Sequence, residues 1–253
     1  MKNLLKAVAG AAAGLSLIMA PSAQAGVVDL ELQLLVDVSG SVSNAEFDLQ
    51  RDGYAAAFSS AAVKNAISQG AIGSIAVQLV YWSTSAAVAV DWYEISDAAS
   101  ADAFAALVAA APRSSNGNTA PGTAINFGVP LFDNNGFDGT RQVIDVSGDG
   151  EQNTGANTAA ARDAALAAGI DSINGITIGG GVSLQNWYLA NIVGGADGFL
   201  SVANDFDDFA NAILGKLVKE ISGEVPLPAA LPFLLTGLAG LGAMTRRRRN
   251  KTA

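Results

Sequence analysis

The chain has 253 residues, with 14 Lys and Arg against 23 Asp and Glu, a formal net charge of −9, no cysteine and no histidine. That composition excludes disulfide frameworks, Ser-His-Asp and Cys-His catalysis and the usual zinc ligand sets. Residues 26–221 alone hold seven basic against 22 acidic residues, a charge of about −15, which favours cations and argues against nucleic acid as a partner.

In chain order, residues 1–25 come first. Lys2 and Lys6 precede an apolar run from Ala7 to Ala20 and the small-residue pattern Ala23-Gln24-Ala25. This reads as a secretory signal peptide cut after Ala25, its apolar core being short for a membrane span. Residues 27–36, VVDLELQLLV, begin with alternation and close fully apolar, as a strand entering the middle of a sheet does. Residues 44–69 carry Phe47, Tyr54, Phe58, Ala62 and Ile67 at helical spacing, with Ser43 or Asn44 to cap them. Residues 75–82 and 87–95 are strand-like with a short Ser/Thr link, which predicts an antiparallel hairpin.

Helices are expected over 100–111 and 124–132. A strand over 142–146 follows, then a helix over 156–168, a strand over 173–178, a helix over 184–193, a strand over 199–203 and a helix over 206–221. There is no internal repeat. The alternation predicts one α/β domain over 26–221. It is a Rossmann-like, doubly wound, mostly parallel sheet of six strands, with one antiparallel edge strand and helices on both faces. Ligands on such sheets bind at the carboxyl ends of the strands.

At that edge the first strand runs into DVSGSVS, residues 37–43. A turn through Gly40 can present Asp37, Ser39 and Ser41 to one point. Their oxygens are hard ligands suited to Mg²⁺, Mn²⁺ or Ca²⁺, although Ser and Asp also cap helices routinely. Two further loops open on the same edge: SSNGNTAPGTAI, with Thr119 and Thr123, and the DVSGDGEQN segment, with Asp149. In this order the three loops resemble the von Willebrand factor A domain. The metal-ion-dependent adhesion site of that family is built from Asp-x-Ser-x-Ser, a Thr in a second loop and an Asp in a third. The resemblance assigns Asp37, Ser39, Ser41, Thr119 and Asp149 as ligands of a divalent cation. Two departures stand out. The second loop reads Gly117-Asn118-Thr119-Ala120-Pro121-Gly122-Thr123, which makes Thr123 a rival ligand. Gly148 separates Ser147 from Asp149, where the family usually joins hydroxyl and Asp directly. Asp145, upstream on the strand, reads as a buried carboxylate.

The resemblance implies a binding module whose cation is completed by an acidic group of an extracellular protein or acidic polysaccharide. A structural surface or matrix role, with the metal only ordering loops, is a second expectation. Mg²⁺-dependent phosphoryl transfer is a third, disfavoured because no phosphate-cradling Gly-x-x-x-x-Gly-Lys motif occurs. Catalysis is therefore not expected. Trp82, Trp92, Tyr93, Trp187 and Tyr188 are read as core fillers rather than sugar platforms. Asp205, Asp207 and Asp208 are read as the start of the last helix rather than a calcium cluster.

Residues 222–253 form a linker and tail. A Val-Pro-Leu-Pro-Ala motif at 225–229 precedes an apolar stretch at about 229–244 and arginines at 246–249. The stretch is just long enough to cross a bilayer, and the arginines would stay on the cytoplasmic side. The order of parts resembles the PEP-CTERM class of sorting signals, which implies membrane anchoring and cleavage by an exosortase.

Overall fold

The computed structural model describes residues 25–223. The signal-peptide segment before Ala25 and the proline motif, apolar stretch and arginine cluster of the tail lie outside the described residues. Among the described residues no helix is long and apolar enough to cross a membrane.

The predicted first strand is two. β1 (Gly26–Val28) and β2 (Leu30–Asp37) part at Asp29, whose carboxylate accepts from the Ile72 and Gly73 amides at 3.0 and 2.7 Å. β1 pairs with β5 (Phe137–Gly139), a strand too short to show periodicity. The main sheet also contains β3 (Ile75–Trp82), β4 (Ala86–Ile95), β6 (Gln142–Gly148), β7 (Ser172–Ile178), β8 (Gly194–Gly195) and β9 (Leu200–Ala203). Its order is β4-β3-β2-β6-β7-β8, with β9 also on β7. β2 lies between two parallel neighbours and is buried along its whole length, as its apolar close predicted. The hairpin forms as expected, leaving antiparallel β4 at the edge. Two register shifts distort that edge, and Asp91 there accepts from Gln78 Nε2 at 3.3 Å. Both features discourage pairing with another strand.

The predicted helix 44–69 is also two. α1 (Asn44–Ser59) ends and α2 (Ala61–Ser68) begins at Ser60, whose Oγ donates to Ala57 O at 2.7 Å and accepts from Val63 N at 3.2 Å. Side-chain capping thus outweighs a continuous apolar stripe. α3 spans Ala98–Ala110. α4 (Pro121–Gly128) starts three residues before its predicted bound, because proline suits a first turn. It tightens into a 3₁₀ turn at Val129–Phe132, since Pro130 lacks the amide that would extend it. α5 (Thr158–Ala167), α6 (Gly181–Asn191) and α7 (Phe209–Ser222) follow. Asp205 accepts from the Asp208 amide at 2.9 Å, and Asp208 accepts from Asn204 Nδ2 at 2.8 Å, so these acids fold the turn into α7.

α1, α2, α3 and α7 cover one face of the sheet, and α4, α5 and α6 the other. Along β2, Leu32, Leu34 and Val36 enter the first core and Leu35 the second. Each such side chain contributes roughly 1.5–3 kcal/mol by leaving water. The expected doubly wound α/β architecture is therefore present, with β2 and β6 side by side and ending at one edge. Among the described residues, however, the main sheet has seven strands rather than six, because the two-residue β8, too short to show periodicity, adds a second antiparallel pairing, on β7.

Candidate metal centre

Asp37 is the last residue of β2 and Asp149 follows directly on β6. The second loop, with Thr119, arrives from between α3 and α4. Backbone and side-chain bonds tie the three together. Gly40 donates its amide to Gly117 O at 2.7 Å, and a Cβ on Gly40 would stand 3.1 Å from Asn116 O, so a side chain there would press on the second loop. Ser41 Oγ donates to Asp149 Oδ1 at 2.7 Å. Ser39 and Ser41 hydroxyls lie 3.2 Å apart, and Thr119 Oγ1 is 3.5 Å from Ser39 Oγ. Asn153 braces the second loop against the third, its Oδ1 accepting from Thr119 N at 2.9 Å. The Ser39 amide donates to Asp37 Oδ1 at 2.7 Å.

The structure therefore brings Asp37, Ser39, Ser41, Thr119 and Asp149 to one place. Thr123 is turned elsewhere: its Oγ1 accepts from the Ala156 amide at 3.0 Å, and a Cβ at Gly155 would sit 2.3 Å from it. Asp145 is wholly buried on the opposite face of the sheet, where Lys216 of α7 reaches its Oδ1 at 2.6 Å and also bonds Glu220.

Charge is unbalanced at the loops. Asp37 is fully buried and its Oδ2 has no hydrogen-bond partner. Burial, with a smaller push from the Asp149 charge, raises its carboxyl to about 7, against the lowering effect of its bonds from Ser39. Asp149 is also raised, chiefly by burial. Among the described residues no Lys or Arg pairs with either. Nor do three Asp, Glu, His or Cys side chains gather at one point among them. The donor set is two carboxylates and three hydroxyls, all oxygen, with one buried carboxylate oxygen unsatisfied. It fits a hard divalent cation and does not fit a soft one.

Several positioning residues were not legible in the sequence. By type and place alone Arg113 is a candidate anion clamp beside the second loop. Its Nη2 instead donates to Val38 O, Ser39 O and Val42 O at 2.9, 2.9 and 2.7 Å, its Nε to Ser115 O and its Nη1 to Asn44 Oδ1. It holds the Asp-x-Ser-x-Ser turn, with four of its five N–H groups engaged in doing so. Gln50 of α1 donates to Asp37 O at 2.9 Å and accepts from Ser147 Oγ at 3.1 Å. Trp82 and Tyr188 are fully buried and Trp92 donates to Leu131 O at 2.8 Å, so these aromatics fill core as read. Tyr188 also brings its hydroxyl toward Asp37, and burial with the Asp37 and Asp149 charges pushes that phenol well above its ordinary range. A cleft of about 320 Å³ lined by Arg141, Asn174, Phe199 and Lys219 lies at the opposite edge of the sheet, away from these loops.

The family model described as "Protein of unknown function (DUF1194)" matches residues 27–225, and the chain belongs to that family. No curated protein matches it. Among solved structures it is similar to proximal thread matrix protein 1 from the mussel byssus, in a structure with a zinc-occupied MIDAS motif. The identity is 17% and the TM-score 0.55, over 78% of this chain and 46% of that one. It is similar to a von Willebrand factor type A protein from Catenulispora acidiphila at 17% identity and TM-score 0.54, over 77% of this chain and 43% of that one. The pilus adhesin SpaC from Lactobacillus rhamnosus GG matches at 17% identity and TM-score 0.53, over 79% of this chain and 31% of that one. The chain spans less than half the length of each. At these identities the likeness is one of fold, and that fold is von Willebrand factor A-like.

Proposed function

We propose that this member of the family of unknown function is a non-catalytic binding module that uses a divalent cation, Mg²⁺ by the hardness of its donors, to hold an acidic group of an extracellular protein or polysaccharide. One observation carries the reading: two carboxylates and three hydroxyls converge where, among the described residues, no cationic side chain balances them. Asp37 and Asp149 would supply the charge, and Ser39, Ser41 and Thr119 the neutral donors. A bound cation supplies electrostatic attraction for an incoming anion and a position that an anion can complete. In a domain near −15 such attraction has few other sources. The occupied MIDAS motif of the mussel protein and the adhesin in the pilus structure support the same reading. Arg113, committed to loop carbonyls, removes the cation that phosphoryl transfer would want there. The reading includes export through residues 1–25 and a membrane-held, exosortase-processed tail from 225 onward.

The test is retention of the full chain on surfaces coated with polyglutamate or alginate, with Mg²⁺ and with a chelator. Retention should need Mg²⁺ and vanish in Asp37→Ala. Thr119→Ala should weaken retention more than Mg²⁺ affinity, and Thr123→Ala should change neither. Retention indifferent to the chelator, or none on either surface, contradicts adhesion and leaves the structural role. Loss in Thr123→Ala alone moves the ligand to that residue.

A further inference from the structure

Gly148 is the residue by which the third loop departs from its family pattern, and its surroundings explain why it is glycine. A Cβ there would stand 2.7 Å from Tyr188 Oη, 2.8 Å from Asp37 Oδ2 and 3.2 Å from Asp37 Cβ. On the neighbouring strand a Cβ at Gly175 would stand 2.9 Å from Tyr188 Cδ1 and 3.1 Å from Leu200 Cδ1. Two glycines on β6 and β7 thus open a slot for one tyrosine of α6, and the slot ends at the buried oxygen of Asp37.

Packing accounts for the ring but not for the hydroxyl. Tyr188 is 0% exposed, and both its Oη and Asp37 Oδ2 lack hydrogen-bond partners. A buried polar atom left unpaired costs about 1–3 kcal/mol, and phenylalanine would fill the same slot without that cost. The two atoms are chemically complementary: a phenol carries one O–H to give, and an ionised carboxylate only accepts. They border the same small space, which the backbone amide of Asp149 also approaches from the Asp37 side.

We propose that Tyr188 is a positioning residue of the metal centre, whose hydroxyl donates to Asp37 Oδ2, directly or through one water, once a cation is bound, and so orients that carboxylate toward it. The proposal rests on the metal-binding reading above. Partners of this kind, one bond removed from the metal, change affinity by roughly 10–100-fold when lost. The Gly148 insertion is then the trace of Tyr188 in the sequence, 40 residues upstream of the side chain it accommodates.

Tyr188→Phe separates positioning from packing because it keeps the ring. In the full chain titrated with Mg²⁺ alone, its affinity should fall about tenfold. Its metal-free melting temperature should hold or rise, since an unpaired hydroxyl has gone. The near-UV tyrosine signal should change when Mg²⁺ is added to wild type, and that change should shrink in the variant. Unaltered Mg²⁺ affinity, or an unaltered tyrosine response, overturns the proposal while Asp37→Ala still loses binding. A fall in affinity matched by a fall in metal-free melting temperature also overturns it, because it marks a packing defect. If Asp37→Ala binds Mg²⁺ as well as wild type does, the metal-binding reading itself fails and this proposal falls with it.

Discussion

Asp37 and Asp145 lie on adjacent parallel strands of one sheet, both at 0% exposure, in two different electrostatic settings. Asp145 faces the core beneath α7, where Lys216 reaches it at 2.6 Å and also bonds Glu220, the side chain one turn further on. Asn174 Nδ2 donates to Glu220 at 2.8 Å and completes the cluster. Asp37 faces the other way, at the strand end, among hydroxyls and amides. A helix supplies a fixed cation in one place, whereas the loops supply only oxygens in the other. Buried carboxylates with an internal counter-charge hold a fold together. One without a counter-charge must either keep its proton or meet a cation from outside.

Removing Lys216 should sharpen the contrast most. Lys216→Met leaves Asp145 and Glu220 buried without their cation and should cost about 3–5 kcal/mol, read by urea unfolding of the metal-free chain. A loss below 1 kcal/mol would mean that the two buried carboxylates do not depend on the lysine, and the comparison would lose one side.

How much of this was legible beforehand depends on how far apart the cooperating residues lie. The fold was readable because β2, β6 and each strand of the hairpin declare themselves within ten residues. The three loops were readable because oxygen donors follow strand ends in order. The break at Ser60 was hidden, since the apolar stripe continues through it while one hydroxyl closes α1 and caps α2. Nothing in the sequence of α7 marks Lys216 as buried, because the carboxylate it meets lies on β6, some 70 residues away. Arg113 was visible but its five acceptors were not, because three of them are backbone carbonyls of a loop some 70 residues away. Gly148 was visible as a departure, but its meaning lay in the tyrosine across the slot.

A smaller effect is expected from pH. Burial, with the Asp145 charge, pushes Glu220 up to about 7 from an ordinary 4.5, and burial does the same to Asp37 from 3.8. A carboxyl whose folded pKa is raised binds its proton more tightly in the native state. Its stability contribution is therefore complete below the unfolded pKa and is lost as pH rises toward the folded one. The metal-free chain should lose several degrees of melting temperature between pH 5 and pH 8. Glu220→Gln should flatten the slope, while Mg²⁺ at pH 8 should recover stability in wild type. A melting temperature that climbs with pH over this interval would contradict the assignment of both groups.

The most direct measurement compares wild type with Asp37→Asn by thermal unfolding, each with and without Mg²⁺. Without metal, Asp37→Asn should melt at or above wild type, since it removes a buried charge that no side chain balances. With Mg²⁺ at 100 times its dissociation constant, wild type should gain about 2.7 kcal/mol, several degrees for a domain of this size, and Asp37→Asn should gain nothing. Equal gains in the two proteins, or collapse of metal-free Asp37→Asn, would show that Asp37 is a structural carboxylate like Asp145 and not the seat of a cation.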